Sequence, residues 1–178
     1  DGRNLLILGP ATTIGIGIGW AAATHTNDDL VKLLVGAIGL AYCLDALLKS
    51  RRNLPPKPAD VPRGMFWGTI AGFTSFVSHA GGPPYQMYVL PQRLSKMSYA
   101  GTTTILFAIV NLLKVPPYWM LGQINLGSLK VCAALAPVAL FGAWLGYKLT
   151  VVLPETVFFR AIEAALLLLS LKLLYDGT

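Results

Sequence analysis

Charge is what this sequence has least of. Asp, Glu, Lys and Arg supply 12% of the 178 residues and apolar residues 54%, against about a quarter and roughly half in ordinary soluble domains. So small a stock of charge cannot cover a water-exposed surface. Its placement sharpens the exclusion. Leu5 to Ala23, Met97 to Leu113 and Val131 to Tyr147 hold no charged residue, and Gly64 to Gln92 holds none besides the titratable His79. Windows of about 17 to 25 such residues are what a helix needs to cross a bilayer. Val31 to Leu48 and Val157 to Leu174 are as apolar, but they carry Lys32 and Asp45, and Arg160, Glu163 and Lys172. Charges near the ends of such segments can snorkel to the interface. The fold class expected is all-α, a polytopic membrane helix bundle with the lipid bilayer as its surroundings.

Other scarcities exclude other classes. The two cysteines, Cys43 and Cys132, lie in separate apolar segments without metal-ligand spacing, so both read as packing residues and neither a metal nor another cofactor is expected. No carboxylate lies between Val61 and Pro154. An intramembrane enzyme needs a nucleophile with a base, or a metal cluster, and only His79 stands near serines, with no carboxylate in its segment. The chain is therefore read as no enzyme. The first apolar run shows no secretory signal pattern either, being too long and lacking a small-residue cleavage site.

The bases that are present give a net charge of +6, but they form no stripe with exposed aromatics, which argues against a nucleic-acid partner. Lys49, Arg51, Arg52, Lys57 and Arg63 crowd one Pro-rich connection that holds a single acid, Asp60. The connection before it, around Asp28 and Asp29, has its only base at Lys32. By the positive-inside rule the Lys49 to Arg63 connection is cytoplasmic. Leu5 to Ala23 then runs outward, Val31 to Leu48 runs inward, and Asp28 and Asp29 face the far side.

An internal repeat organises the chain. At a shift of 137 − 10 = 127 residues, Pro10, Gly15, Gly19 and Trp20 fall on Pro137, Gly142, Gly146 and Tyr147 without a gap, and Leu40 and Leu44 fall on Leu167 and Leu171. This pattern makes residues 1–50 the C-terminal helix hairpin of a first repeat, 51–63 a cytoplasmic basic loop and 64–178 the second repeat. The first copy of Gly64 would lie at 64 − 127 = −63, so the chain is expected to lack about 60 residues of an N-terminal half-repeat. That half-repeat is the expected partner of the second copy, and these residues alone are not expected to transport. If Gly64 to Gln92 enters and returns on the cytoplasmic side, each repeat makes three net crossings and the two are inverted. Gly15 with Gly19, Gly68 with Gly72, and Gly142 with Gly146 are spaced for close helix packing.

The unusual stretch is Gly72 to Gln92, GFTSFVSHAGGPPYQMYVLPQ. Gly81-Gly82-Pro83-Pro84 removes two backbone donors and is expected to break or re-enter the helix near membrane depth. Irregular backbone at that depth has to be buried in protein or line a cavity. A second half-helix beginning there would turn free N–H groups and its positive end toward an anion. Ser75, Ser78, His79, Tyr85 and Gln86 surround the break with donors. Gly101 to Thr104, with Thr102 among them, then Asn111 and Lys114, supply a second group. For a single hydroxyl the competing role is packing between helices, and for His79 it is a neutral ring bonded to a neighbouring carbonyl. Only His79 in this region changes charge near neutral pH.

At these residues the sequence resembles the TauE/SafE sulfite exporter family of membrane permeases. The resemblance rests on Gly72-Phe-Thr-Ser75, His79-Ala-Gly-Gly-Pro-Pro84, Tyr88-x-Leu-Pro-Gln92, Gly101-Thr102, Asn111-x-x-Lys114 and Tyr118-x-x-x-Gly122. It runs from about Gly64 onward, the first fifty residues joining by hydropathy alone. It implies a transporter moving sulfite, an organosulfonate or a related small anion across the bacterial inner membrane, built from two related halves. The Gly-rich signature that the family carries in its first half is absent here. Ser75, Ser78, His79, Gly81, Gly82, Pro83, Pro84, Gln92, Gly101, Thr102, Asn111 and Lys114 are the substrate-binding candidates, with a coupling proton or cation as a further partner. A passive anion channel would use the same donors and stands as the alternative.

Overall fold

The computed structural model describes residues 1–23, 25–48 and 55–178, and every regular element among them is helical. They are α1 (Gly2–Ala22), α2 (Asp28–Leu48), α3 (Val61–Val77), α4 (Gly82–Val89) with a 3-10 turn over Leu90–Gln92, α5 (Lys96–Met120), α6 (Leu126–Val152) and α7 (Glu155–Asp176). Lys49, Arg51 and Arg52 lie outside the described residues. Polar caps start the helices: Asp1, Asp60, Ser95 and Asn125 each accept from the backbone N–H three residues on, satisfying donors that a helix start leaves open. Of the described helices, α1, α5 and α6 are long and apolar enough to cross a membrane.

The repeat register reappears in the helix limits. Adding 127 to the ends of α2 gives 28 + 127 = 155 and 48 + 127 = 175, the span of α7 to within a residue. The expected hairpins, however, do not pack as hairpins. α1 packs chiefly on α3 and α5, while α2 packs on α7. Glycine explains the first choice. A Cβ on Gly15 would collide with the Thr69 carbonyl and one on Gly72 with the Thr12 carbonyl, so the α1 and α3 backbones touch where their glycines meet. In lipid no hydrophobic force draws helices together, and such close contact supplies the attraction instead. α2 and α7 meet antiparallel, with Gly177 against Asp29 and Gly36 and Gly39 against Ser170.

The break differs in detail from the expectation. α3 ends at Val77, the chain turns through residues 78–81, and Gly82, Pro83 and Pro84 form the first turn of α4 rather than an interruption. Proline is tolerated there because its missing N–H would have had no helical partner. With 17 residues at about 1.5 Å each, α3 is roughly 25 Å long, so the turn sits near its far end and not at its middle. α4 then runs back along α3: the Tyr88 hydroxyl donates to the Asp60 carbonyl at 3.1 Å and Lys57 N–H to the Pro91 carbonyl at 3.0 Å. Arg3, Lys57, Arg63, Arg93, Lys96, Lys148 and Arg160 gather at that starting end, where Lys96 also reaches the Val151 and Leu153 carbonyls. Lys32, Lys130 and Lys172 belong to the other end.

Candidate functional site

Thr74 closes the turn between α3 and α4. Its carbonyl accepts from the Ser78 and Ala80 N–H groups at 3.0 and 3.1 Å, and its hydroxyl lies 3.1 Å from the Ala80 carbonyl. The tight path forces His79 to φ 52°, a left-handed conformation that costs a residue with a side chain free energy. Gly81 is required by space, since a Cβ there would lie 2.7 Å from both the Ala71 carbonyl oxygen and Ser75 Cβ.

Stopping α3 at Val77 leaves its last carbonyls open, and α5 fills them. Lys114 Nζ donates to the Ser75 carbonyl and to Ser75 Oγ, both at 3.1 Å, and the Tyr118 hydroxyl donates to the Phe76 carbonyl at 2.7 Å. Lys114 is only 5% exposed. A buried ammonium at a helix C-terminus is favoured by the helix dipole. It has three N–H bonds, of which two point at Ser75. Because Gly81 also touches Ser75, the start of α4 and this cation both contact one serine. Pro83 and Pro84 have no N–H, so the backbone donors at the head of α4 reduce to Gly81 and Gly82.

The predicted residues fall into two groups. Ser75, Ser78, His79, Gly81, Gly82, Pro83, Pro84 and Lys114 assemble at the turn. Gln92 and Thr102 lie at the opposite end. The Gln92 amide exchanges hydrogen bonds of 2.9 and 3.1 Å with the Asn4 amide, and Thr102 Oγ1 donates to the Ser98 carbonyl at 2.7 Å. Twelve helical residues, about 18 Å, separate Thr102 from Lys114 along α5. The buried face of α5 runs through Tyr99, Thr102, Leu106, Val110, Lys114 and Pro117, so Asn111, about 100° round from Val110, is exposed, as is Gly101. His79 is exposed too, its ring edge-on to Tyr118 at 5.9 Å.

Residues missed by sequence reasoning complete the turn end. The stretch from Val61 to Pro154 has no carboxylate of its own, but the fold brings one in from α2. Asp28 pairs with Lys32 at 2.6 Å, and Asp29 pairs with the same lysine at 3.2 Å. Burial pushes the Asp28 carboxyl up, yet hydrogen bonding to Lys32, the nearness of Ser78 and the Lys32 charge together hold it below the ordinary carboxylate value. Asp28 Oδ1 and Ser78 Oγ are both buried without a direct hydrogen-bond partner. Beside them lies a cavity of about 140 Å³ lined by Ala23, Thr26, Asp28, Phe76, Val77, Tyr118, Leu121 and Gln123. The only advance signals were the Tyr118-x-x-x-Gly122 pattern and the acids in the first turn of α2; nothing linked Asp28 to a turn some fifty residues away.

No curated protein and no solved structure matches the chain. The sequence pattern of the sulfite exporter TauE/SafE family matches residues 1–173, which takes in α1 and α2 as well as the turn and Lys114. With that match, an all-helical fold and three helices apolar enough to span a bilayer, the chain belongs to the TauE/SafE family of membrane sulfite exporters.

Proposed function

We propose that the chain forms part of a secondary transporter that moves a small oxyanion, sulfite or an organosulfonate, through the bacterial inner membrane past the α3–α4 turn. One observation carries this reading: a buried ammonium, Lys114, meets the head of α4 across Ser75, with one N–H bond not directed at that serine. An anion leaving water has to recover its hydration from fixed donors, and each charge-assisted hydrogen bond recovers about 1.5 to 3 kcal/mol. Ser75, Gly81, Gly82 and Lys114 are the proposed central contacts, with Ser78 and His79 at the outer edge. Asn111 precedes Lys114 by less than one turn and serves an anion passing along the exposed side of α5. Thr102 and Gln92 belong to the inner end of the same path.

In the proposed topology the basic end faces the cytoplasm, so α3 and α4 enter and return on that side, several helices cross the bilayer, and α6 ends inside. Antiparallel packing of α2 on α7, which occupy equivalent repeat positions, supports inversion, because an axis in the membrane plane reverses equivalent helices. Thr156 would then be inside; its exclusive labelling from the periplasm, as a cysteine variant, would contradict this topology. For the site, Lys114→Met is expected to weaken sulfite binding to the purified full chain by about tenfold or more, 1.4 kcal/mol being one factor of ten. Unchanged binding by a folded variant rejects the site.

A further inference from the structure

The outer-end cavity differs chemically from the anion contacts around Lys114. Its lining hydroxyls have already spent their hydrogens: Thr26 Oγ1 donates to the Ala22 carbonyl and Tyr118 Oη to the Phe76 carbonyl, each at 2.7 Å. Neither hydroxyl has a hydrogen left to donate, so toward any ligand each can act only through its lone pairs. Ala23 and Leu121, the C-caps of α1 and α5, bring the negative ends of two helices to the same place. Asp28 adds a full negative charge; its side chain is half-exposed, Lys32 holds Oδ2, and Oδ1 is turned inward beside Ser78. Lys32 does not cancel this charge, because it is shared between Asp28 and Asp29 and leaves the group at net −1. His79 is the other base near Asp28, while Lys114 is turned to Ser75.

We infer that this cavity is a sodium site, with Asp28 as the charged ligand and the oxygens of Thr26, Tyr118 and Gln123 around it, and that the ion bound there couples to anion movement. The coupling half rests on the transport reading above; the binding half does not. Helix C-terminal ends and backbone carbonyl oxygens are groups with which transporters hold coupling cations. At about 140 Å³ the cavity has room for an ion with a few waters, each taking about 30 Å³. Ser78 links the two sites, its Oγ lying near Asp28 while its backbone belongs to the turn over Lys114.

The test measures radioactive sodium binding to the purified full chain with no sulfite present. Saturable binding is expected, weakened tenfold or more in Asp28→Asn and at least threefold in Gln123→Leu, and weakened as well in Asp29→Asn, which leaves Lys32 to neutralise Asp28. Should Asp28→Asn fail to fold, the Gln123→Leu measurement decides alone. Absence of saturable binding in the parent, or parent-like binding in the folded variants, overturns the site. A second arm compares sulfite binding in sodium with that in choline: a dependence on sodium that Asp28→Asn abolishes supports coupling, and equal binding in both media overturns coupling. Sodium binding without any sulfite binding would reject the anion reading and leave the sodium site standing.

Discussion

α1 and α6 carry the same Pro-x4-Gly-x3-Gly-aromatic register 127 residues apart, yet they live in different surroundings. α1 buries Asn4, Ile7, Leu8, Ala11, Thr12, Gly15, Ile16 and Gly19, whereas α6 buries no residue among those described. Gly15 and Gly19 lie against α3, while the equivalent Gly142 and Gly146 face open space. The glycine register therefore encodes the capacity for close approach, and a neighbour with matching glycines converts it into burial. α3 is that neighbour for α1, since Gly68 and Gly72 receive Ala11 and Thr12. α2 and α7, which begin 127 residues apart, show the other outcome: they pack on one another.

Substitutions at equivalent positions probe this difference. The largest effect is expected from Gly72→Leu, which drives a side chain into the Thr12 carbonyl; overpacking of this kind costs about 1 to 3 kcal/mol or more. Thermal unfolding in detergent should show a marked loss of folded protein for it and little change for Gly142→Leu. Equal damage at Gly142 would mean that α6 has a partner in solution and would break the comparison. Next comes Asn4→Leu, which strands the buried Gln92 amide at an expected cost of about 1 to 3 kcal/mol. Its counterpart Val131→Leu should stay within about 0.5 kcal/mol, and adding Gln92→Leu to the Asn4 variant should recover part of the loss. Gly19→Ala is the mildest case. Its Cβ would sit 3.1 Å from Phe76 Cβ, so a shift under about 1 kcal/mol is expected there and none at Gly146→Ala.

Much of the architecture was legible in the residues. The charge-free windows announced apolar helices. The Gly-Gly-Pro-Pro run marked the turn region, although the turn itself is residues 78–81, because prolines sit comfortably in a first helical turn. Lys114 was legible as a lone base in an apolar segment. Its role in holding the open carbonyl of Ser75 was not, since hydrogen bonds across 39 residues leave no local pattern.

By itself the sequence determined what depends on local composition: segments too apolar for water, the positions where glycine permits close contact, and the end of the molecule where bases collect. Tertiary structure alone decided which surfaces meet. It packed α1 on α3 rather than on α2, turned Asn111 to the exposed side of α5, and carried Asp28 to the turn beside Ser78. The physical reason is that helix pairing inside a bilayer rests on shape and on hydrogen bonds between distant residues, and neither is written in hydropathy.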